Sequence, residues 1–87
     1  MKKKENFILR TIGGSHVMMP VGETALKFNG LITATETAAF IWKHIEEVSN
    51  AEELAKLICD EFEVEEAVAL NDCKLVIDRM KGAGWIE

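Results

Sequence analysis

Apolar and polar residues alternate, then repeat with a longer period, and the change of period divides the chain in two. Two short apolar runs, residues 7–12 and 16–21, flank Gly13-Gly14-Ser15. Glycine accepts the positive φ that a tight loop needs, so this is a hairpin signal. A three-residue loop predicts that Phe7 and Leu9 share a face with Val17, Met19 and Val21, while Ile8, Arg10, Ile12, His16 and Met18 take the other. Adding or removing one loop residue would swap some of these positions. Two tiny extended runs follow, Ala25-Leu26-Lys27-Phe28 and Leu31-Ile32-Thr33-Ala34, separated by the turn dipeptide Asn29-Gly30. At least one is a third strand. Because helical periodicity starts directly afterwards, that strand is expected at a sheet edge with unpaired backbone groups.

Three helices are then predicted. Thr33 or Thr35 caps the first, whose apolar positions are Ala38, Ile41, Trp42, Ile45 and Val48. Ser49-Asn50-Ala51-Glu52 opens the second, with its stripe at Ala51, Leu54, Ala55, Ile58 and Phe62. The third covers about 65–81 and is closed by Gly82 or Gly84, after which Trp85 and Ile86 pack back. Spaced at 100° per residue, the third helix has two apolar sectors. The wide one holds Ala69, Leu70, Cys73, Val76, Ile77 and Met80. The narrow one holds Val64, Val68 and Leu75, bordered by Asp72 and Arg79 on one side and by Asn71 and Asp78 on the other. A single core needs only the wide sector. The narrow one is either a second buried face or an open strip for a ligand.

At 87 residues, with 48% hydrophobic and 29% charged positions, the chain has room for one core. Residues 1–6 are expected to be a flexible basic tail and 7–87 a single domain. The N-terminus lacks the apolar segment of a secretion signal, and no run is long enough for a membrane span, so a cytoplasmic protein away from membranes is expected. Cys59 and Cys73 fall at helical spacing among apolar residues and are expected to be reduced core residues. His16 and His44 are isolated. No metal or cofactor is expected, since no phosphate loop, metal-ligand spacing or partnered nucleophile occurs. The adjacent carboxylates of the helices diverge by about 100° and make solvated faces, not an acid/base pair. An α+β domain that binds and does not catalyse is the expectation.

Gly30-Leu31-Ile32-Thr33-Ala34-Thr35-Glu36-Thr37-Ala38 before Phe40-Ile41-Trp42 resembles the signature of the PqqD family. Phe7-Ile8-Leu9-Arg10, Val17-Met18-Met19-Pro20, Asp60-Glu61-Phe62, Asp72 and Gly84-Trp85-Ile86 follow in family order. Thr35 stands where Asn is more usual, and the stretch 21–29 is longer than in compact members. The resemblance implies a winged-helix-like α+β fold, an N-terminal three-stranded antiparallel sheet, hairpin plus edge strand, followed by three helices. It also implies a recognition element that captures the leader segment of a ribosomally synthesised precursor peptide by strand addition. The captured peptide would be presented to a modifying enzyme, often of the radical S-adenosylmethionine type. Carried onto this chain, the peptide-binding positions are Phe28, Leu31, Ile32, Thr33 and Ala34 on the strand and Val64, Val68, Asp72, Leu75 and Arg79 on the helix, with Lys74 nearby.

Two other functions remain open on the sequence. A winged-helix DNA-binding domain could share this element order, but the net charge of −5 and the mixed charges of the third helix argue against nucleic acid. A structural subunit could dock on a larger enzyme through the narrow apolar strip. An exposed edge strand could also pair with its own copy to form a homodimer.

Overall fold

The computed structural model describes residues 1–27 and 32–87. Strands β1 (Phe7–Ile12), β2 (Ser15–Pro20) and β3 (Ile32–Ala34) form an antiparallel sheet in the order β1-β2-β3. A short helix α1 (Glu23–Lys27) lies between β2 and β3. After β3 come α2 (Glu36–His44), a 3-10 turn at Ile45–Glu47, α3 (Ala51–Glu61) and α4 (Glu66–Ala83). The predicted sheet with its edge strand and three long helices is therefore present, with β3 at an edge.

The hairpin differs from expectation in register. Its loop is the pair Gly13-Gly14, with φ of 57° and 82°, so Ser15 pairs with Ile12 as a strand residue. Two successive positive φ values match the twist of the strands, which favours the shorter loop. The shift places Phe7, Leu9 and Met18 on one face and Ile8, Arg10, Val17 and Met19 on the other. Phe7 and Met18 are accordingly buried, at 5% and 1% exposure. The expected extended run at 25–28 is corrected in its described part, since Ala25-Leu26-Lys27 is helical. Glu23, Ala25, Leu26 and Lys27 are strong helix formers, and Ala25 N–H donates to Gly22 C=O at 3.1 Å. Phe28 and Leu31 lie outside the described residues.

Local signals set the helix ends. Thr35, in extended conformation, accepts from Ala38 N–H at 3.1 Å and caps α2. At α3, Asn50 accepts from Glu53 N–H at 2.9 Å while the Glu53 carboxylate accepts from Ser49 N–H at 2.9 Å. These bonds satisfy donors that a helix start leaves without partners. Helix α4 ends at Gly84, whose φ is 79°. There Gly84 N–H donates to Lys81 C=O and Trp85 N–H to Met80 C=O, the paired bonds of a Schellman turn.

That turn brings Trp85 back over the core, 5.9 Å from the Phe7 ring and 6.3 Å from Trp42. One cluster unites Phe7 and Met18 from the sheet, Ile41, Trp42 and Ile45 around α2, Leu54 and Ile58 of α3, Ala69, Cys73, Ile77 and Met80 of α4, and Ile86. Residues 1–6, expected to be a free tail, are tied to this body. Lys4 N–H donates to Trp85 C=O and Glu87 N–H to Lys2 C=O, both at 2.9 Å, and the Lys3 ammonium lies 4.9 Å from the Trp42 ring centroid. The Met1 amine reaches the carbonyls of Ile45 and Val48.

Both cysteines are free thiols. Cys73 is buried, and burial, followed by the nearby Asp72 carboxylate and Cys59, pushes its thiol from the ordinary 9.0 to about 11. The folded state thus keeps a proton that the unfolded chain releases above about pH 9, so this group's contribution to stability falls as pH rises from 9 towards 11. The thiolate is the reactive form, and this shift lowers its population about a hundredfold near neutral pH. In native protein at pH 8, iodoacetamide is expected to label half-buried Cys59 well before Cys73, with Cys73 labelling only under denaturant. Equal native rates, read by peptide mass mapping, would contradict the burial of Cys73.

Candidate functional site

The site is built from the edge strand, the start of α2 and one side of α4. Pairing with β2 places Ile32 and Ala34 on the same face as Met18 and His16, half-buried and turned towards the helices, while Thr33 is on the outer face and exposed. Among the described residues, the second edge of β3 has no strand beside it. Between β3 and α4 is a groove of about 360 Å³, lined by Ile32, Thr33, Ala34, Thr35, Ala38, Val76, Arg79, Met80, Ala83 and Trp85. Small side chains make the room: Ala34 and Ala38 on one wall and Ala83 on the other. The floor is firm, since Met80 is 1% exposed and Trp85 is held by its aromatic neighbours. The Trp85 indole N–H is buried and finds no acceptor among the described residues.

Among the side chains lining the groove, Arg79 alone carries a charge. It is exposed. Its positions one helical turn away are Leu75, Val76, Gly82 and Ala83, so no carboxylate of α4 faces it at the spacing that pairs helix side chains. Lys74 and Lys81 differ, since Asp78 lies four residues after the first and three before the second.

Of the residues expected to bind, Ile32, Thr33, Ala34 and Arg79 meet at this groove. Val64, Val68 and Leu75 are open to solvent, at 41%, 50% and 50% exposure, so the narrow apolar sector is not a second buried face. They do not line the groove itself. Asp72, Val68 and Leu75 lie about 40°, 80° and 100° round α4 from Val76, on the side where Arg79 projects. Leu75 borders the groove, Asp72 and Val68 continue the same side of α4 about 6 and 12 Å from Val76 towards its start, and Val64 precedes the helix. The sequence reading missed Thr35, Ala38, Val76, Met80, Ala83 and Trp85. Val76 and Met80 fall by spacing in the core sector, which Met80 does join. Thr35 and Ala38 follow β3 so directly that any site beside that strand must include them.

A sequence profile for the family described as Coenzyme PQQ synthesis protein D (PqqD) matches residues 15–86. The chain belongs to the PqqD family. The PqqD match takes in β2, β3 and all three long helices, and so both walls of the groove. Two solved structures share the fold. One, described as TbiB1 in complex with the TbiA(beta) leader peptide, superposes with a TM-score of 0.76 at 18% identity and covers 100% of this chain and 95% of its own. The other, lasso peptide synthetase B1 complexed with the leader peptide, also gives 0.76 at 16% identity, covering 99% and 95%. No curated protein sequence matches the chain.

Among the described residues no group of three or more His, Cys, Asp or Glu side chains could hold a metal ion, and no helix is long and apolar enough to cross a membrane.

Proposed function

We propose that this PqqD-family domain captures an extended segment of a ribosomally made precursor peptide and presents the remainder to a separate modifying enzyme. The observation that carries the reading is the free edge of β3 flanking an apolar groove. Strand addition needs this combination: edge N–H and C=O groups supply affinity, and a neighbouring groove reads every second side chain. The two similar structures hold leader peptides, which supports the reading. The added strand would lie beside Ile32, Thr33 and Ala34, with Arg79 at the groove, Leu75 at its rim, and Asp72, Val68 and, farther out, Val64 met only by a longer peptide. The domain is read as non-catalytic. Its enzyme partner is of the radical S-adenosylmethionine type on the family resemblance.

The test begins with a library of random 20-residue peptides displayed by fusion through their C-termini and selected on the whole chain. Hydrogen exchange is then followed with an enriched peptide bound. Amides of Ile32–Ala34 are expected to exchange at least about tenfold more slowly, because strand pairing closes backbone groups that otherwise open readily. Protection confined to the other sheet edge, Phe7–Ile12, would reject the assignment. Titrating the chain with the enriched peptide should give one-to-one complexes in sedimentation; a chain that self-associates and binds no peptide would point to β3 pairing with its own copy instead.

A further inference from the structure

We infer that the groove selects an internal acidic residue of the captured peptide, placed two positions from an apolar one, and that Arg79 is the residue that reads it. This deepens the peptide-capture reading and rests on it. The strand register carries the first half of the argument. A strand added to β3 alternates its side chains as β3 does, so every second residue turns inward with Ile32 and Ala34 towards α4. From Val76 to Ala83 is seven residues of helix, about 10.5 Å at 1.5 Å per residue. That length matches about three residues of strand at 3.3 to 3.4 Å each, room for two inward side chains. Neutral surface offered by Val76, Ala38 and Ala83 suits an apolar one.

Chemistry carries the second half. Arg79 is a cation in a groove otherwise lined by neutral side chains, with no carboxylate one turn away on its own helix. A peptide carboxylate would complete a bidentate, charge-assisted pair, and the added strand would itself cover part of the exposed guanidinium. A basic residue there would meet like charge with no acid among the described groove-lining residues to compensate it. The overall charge of −5 repels acidic peptides at a distance, so the preference has to arise at this contact and not by steering.

The experiment selects the C-terminally fused library, in which every peptide carboxylate is a side chain, on the wild-type chain and on Arg79→Glu. Wild type is expected to enrich Asp or Glu at a fixed position two residues from a large apolar residue, and Arg79→Glu to enrich Lys or Arg there. In fluorescence polarisation with a synthetic wild-type binder, Glu→Gln in the peptide and Arg79→Gln in the protein should each weaken binding about tenfold, with little further loss when combined. Ala83→Glu, which places a competing carboxylate four residues after Arg79, should weaken the same peptide with Arg79 intact. Peptides that protect the β3 amides, show no acidic preference and bind Arg79→Glu equally would overturn this inference while leaving peptide capture standing. Failure to enrich any peptide on the wild-type chain would overturn both.

Discussion

Trp42→Ala is expected to lower the free energy of unfolding by about 3 to 5 kcal/mol, the range for removing a buried aromatic side chain from a core that collapses incompletely. Trp42 is 5% exposed and joins α2 to the chain's two ends: its ring meets Trp85 edge-on at 6.3 Å and lies beneath the Lys3 ammonium. Truncation would therefore leave a cavity and also loosen the turn that returns Trp85 to Phe7. Small domains have only about 5 to 15 kcal/mol of stability, so the variant should lose about a fifth of it or more. Urea titration followed by circular dichroism measures the change. Leu26→Ala is the companion, because Leu26 on α1 is 86% exposed and surface changes typically fall within about 0.5 kcal/mol. A wild-type midpoint for Trp42→Ala would contradict the packing described.

The contrast between these two residues shows what the sequence could reveal. Trp42 was legible because Ala38, Ile41, Trp42 and Ile45 recur at helical spacing behind a capping Thr35. Information of that kind is local. The structure confirms Thr35 as the cap and buries Ile41, Trp42 and Ile45. Helix α1 was not legible, since five residues are too few to show a period and its Ala, Leu and Lys adjoin an Asn-Gly pair that suggests extended flanks. The hairpin register was undetermined for another reason: Ser15 suits a loop or a strand end equally. Only the burial of Met18 opposite Leu9 decides between them. The pairing of residues 2–4 with 85–87 depends on partners at the far end of the chain, which no local pattern reports.

The candidate site divides in the same way. The exposed strip at Val68 and Leu75 could be read as a second sector on one helix. The groove could not, because it is a relation between elements: it exists where the small side chains of β3, α2 and α4 face each other. Arg79 borders the narrow sector by its place on the helix, which the sequence alone shows. The absence of a carboxylate one turn from it on α4 matters only once β3 is known to stand across from it.

Filling the groove separates its contribution from that of the strip. Ala83→Trp is expected to weaken a β3-pairing peptide by more than tenfold, over about 1.4 kcal/mol, while unfolding stability stays within about 0.5 kcal/mol of wild type because the site is exposed. A helical side chain leans over the preceding turn, so the indole would lie over Arg79 and Met80, where inward peptide residues would sit. Leu75→Asp and Val68→Asp are each expected to weaken binding less, since these half-exposed residues can touch only a peptide that overhangs the rim, and neither is needed for the core. Isothermal titration with one selected peptide ranks the three. If Leu75→Asp proved the most damaging and Ala83→Trp harmless, the peptide would run along the strip and away from the groove. In that case Arg79, which lies between the two, would still face the peptide, but from the opposite flank.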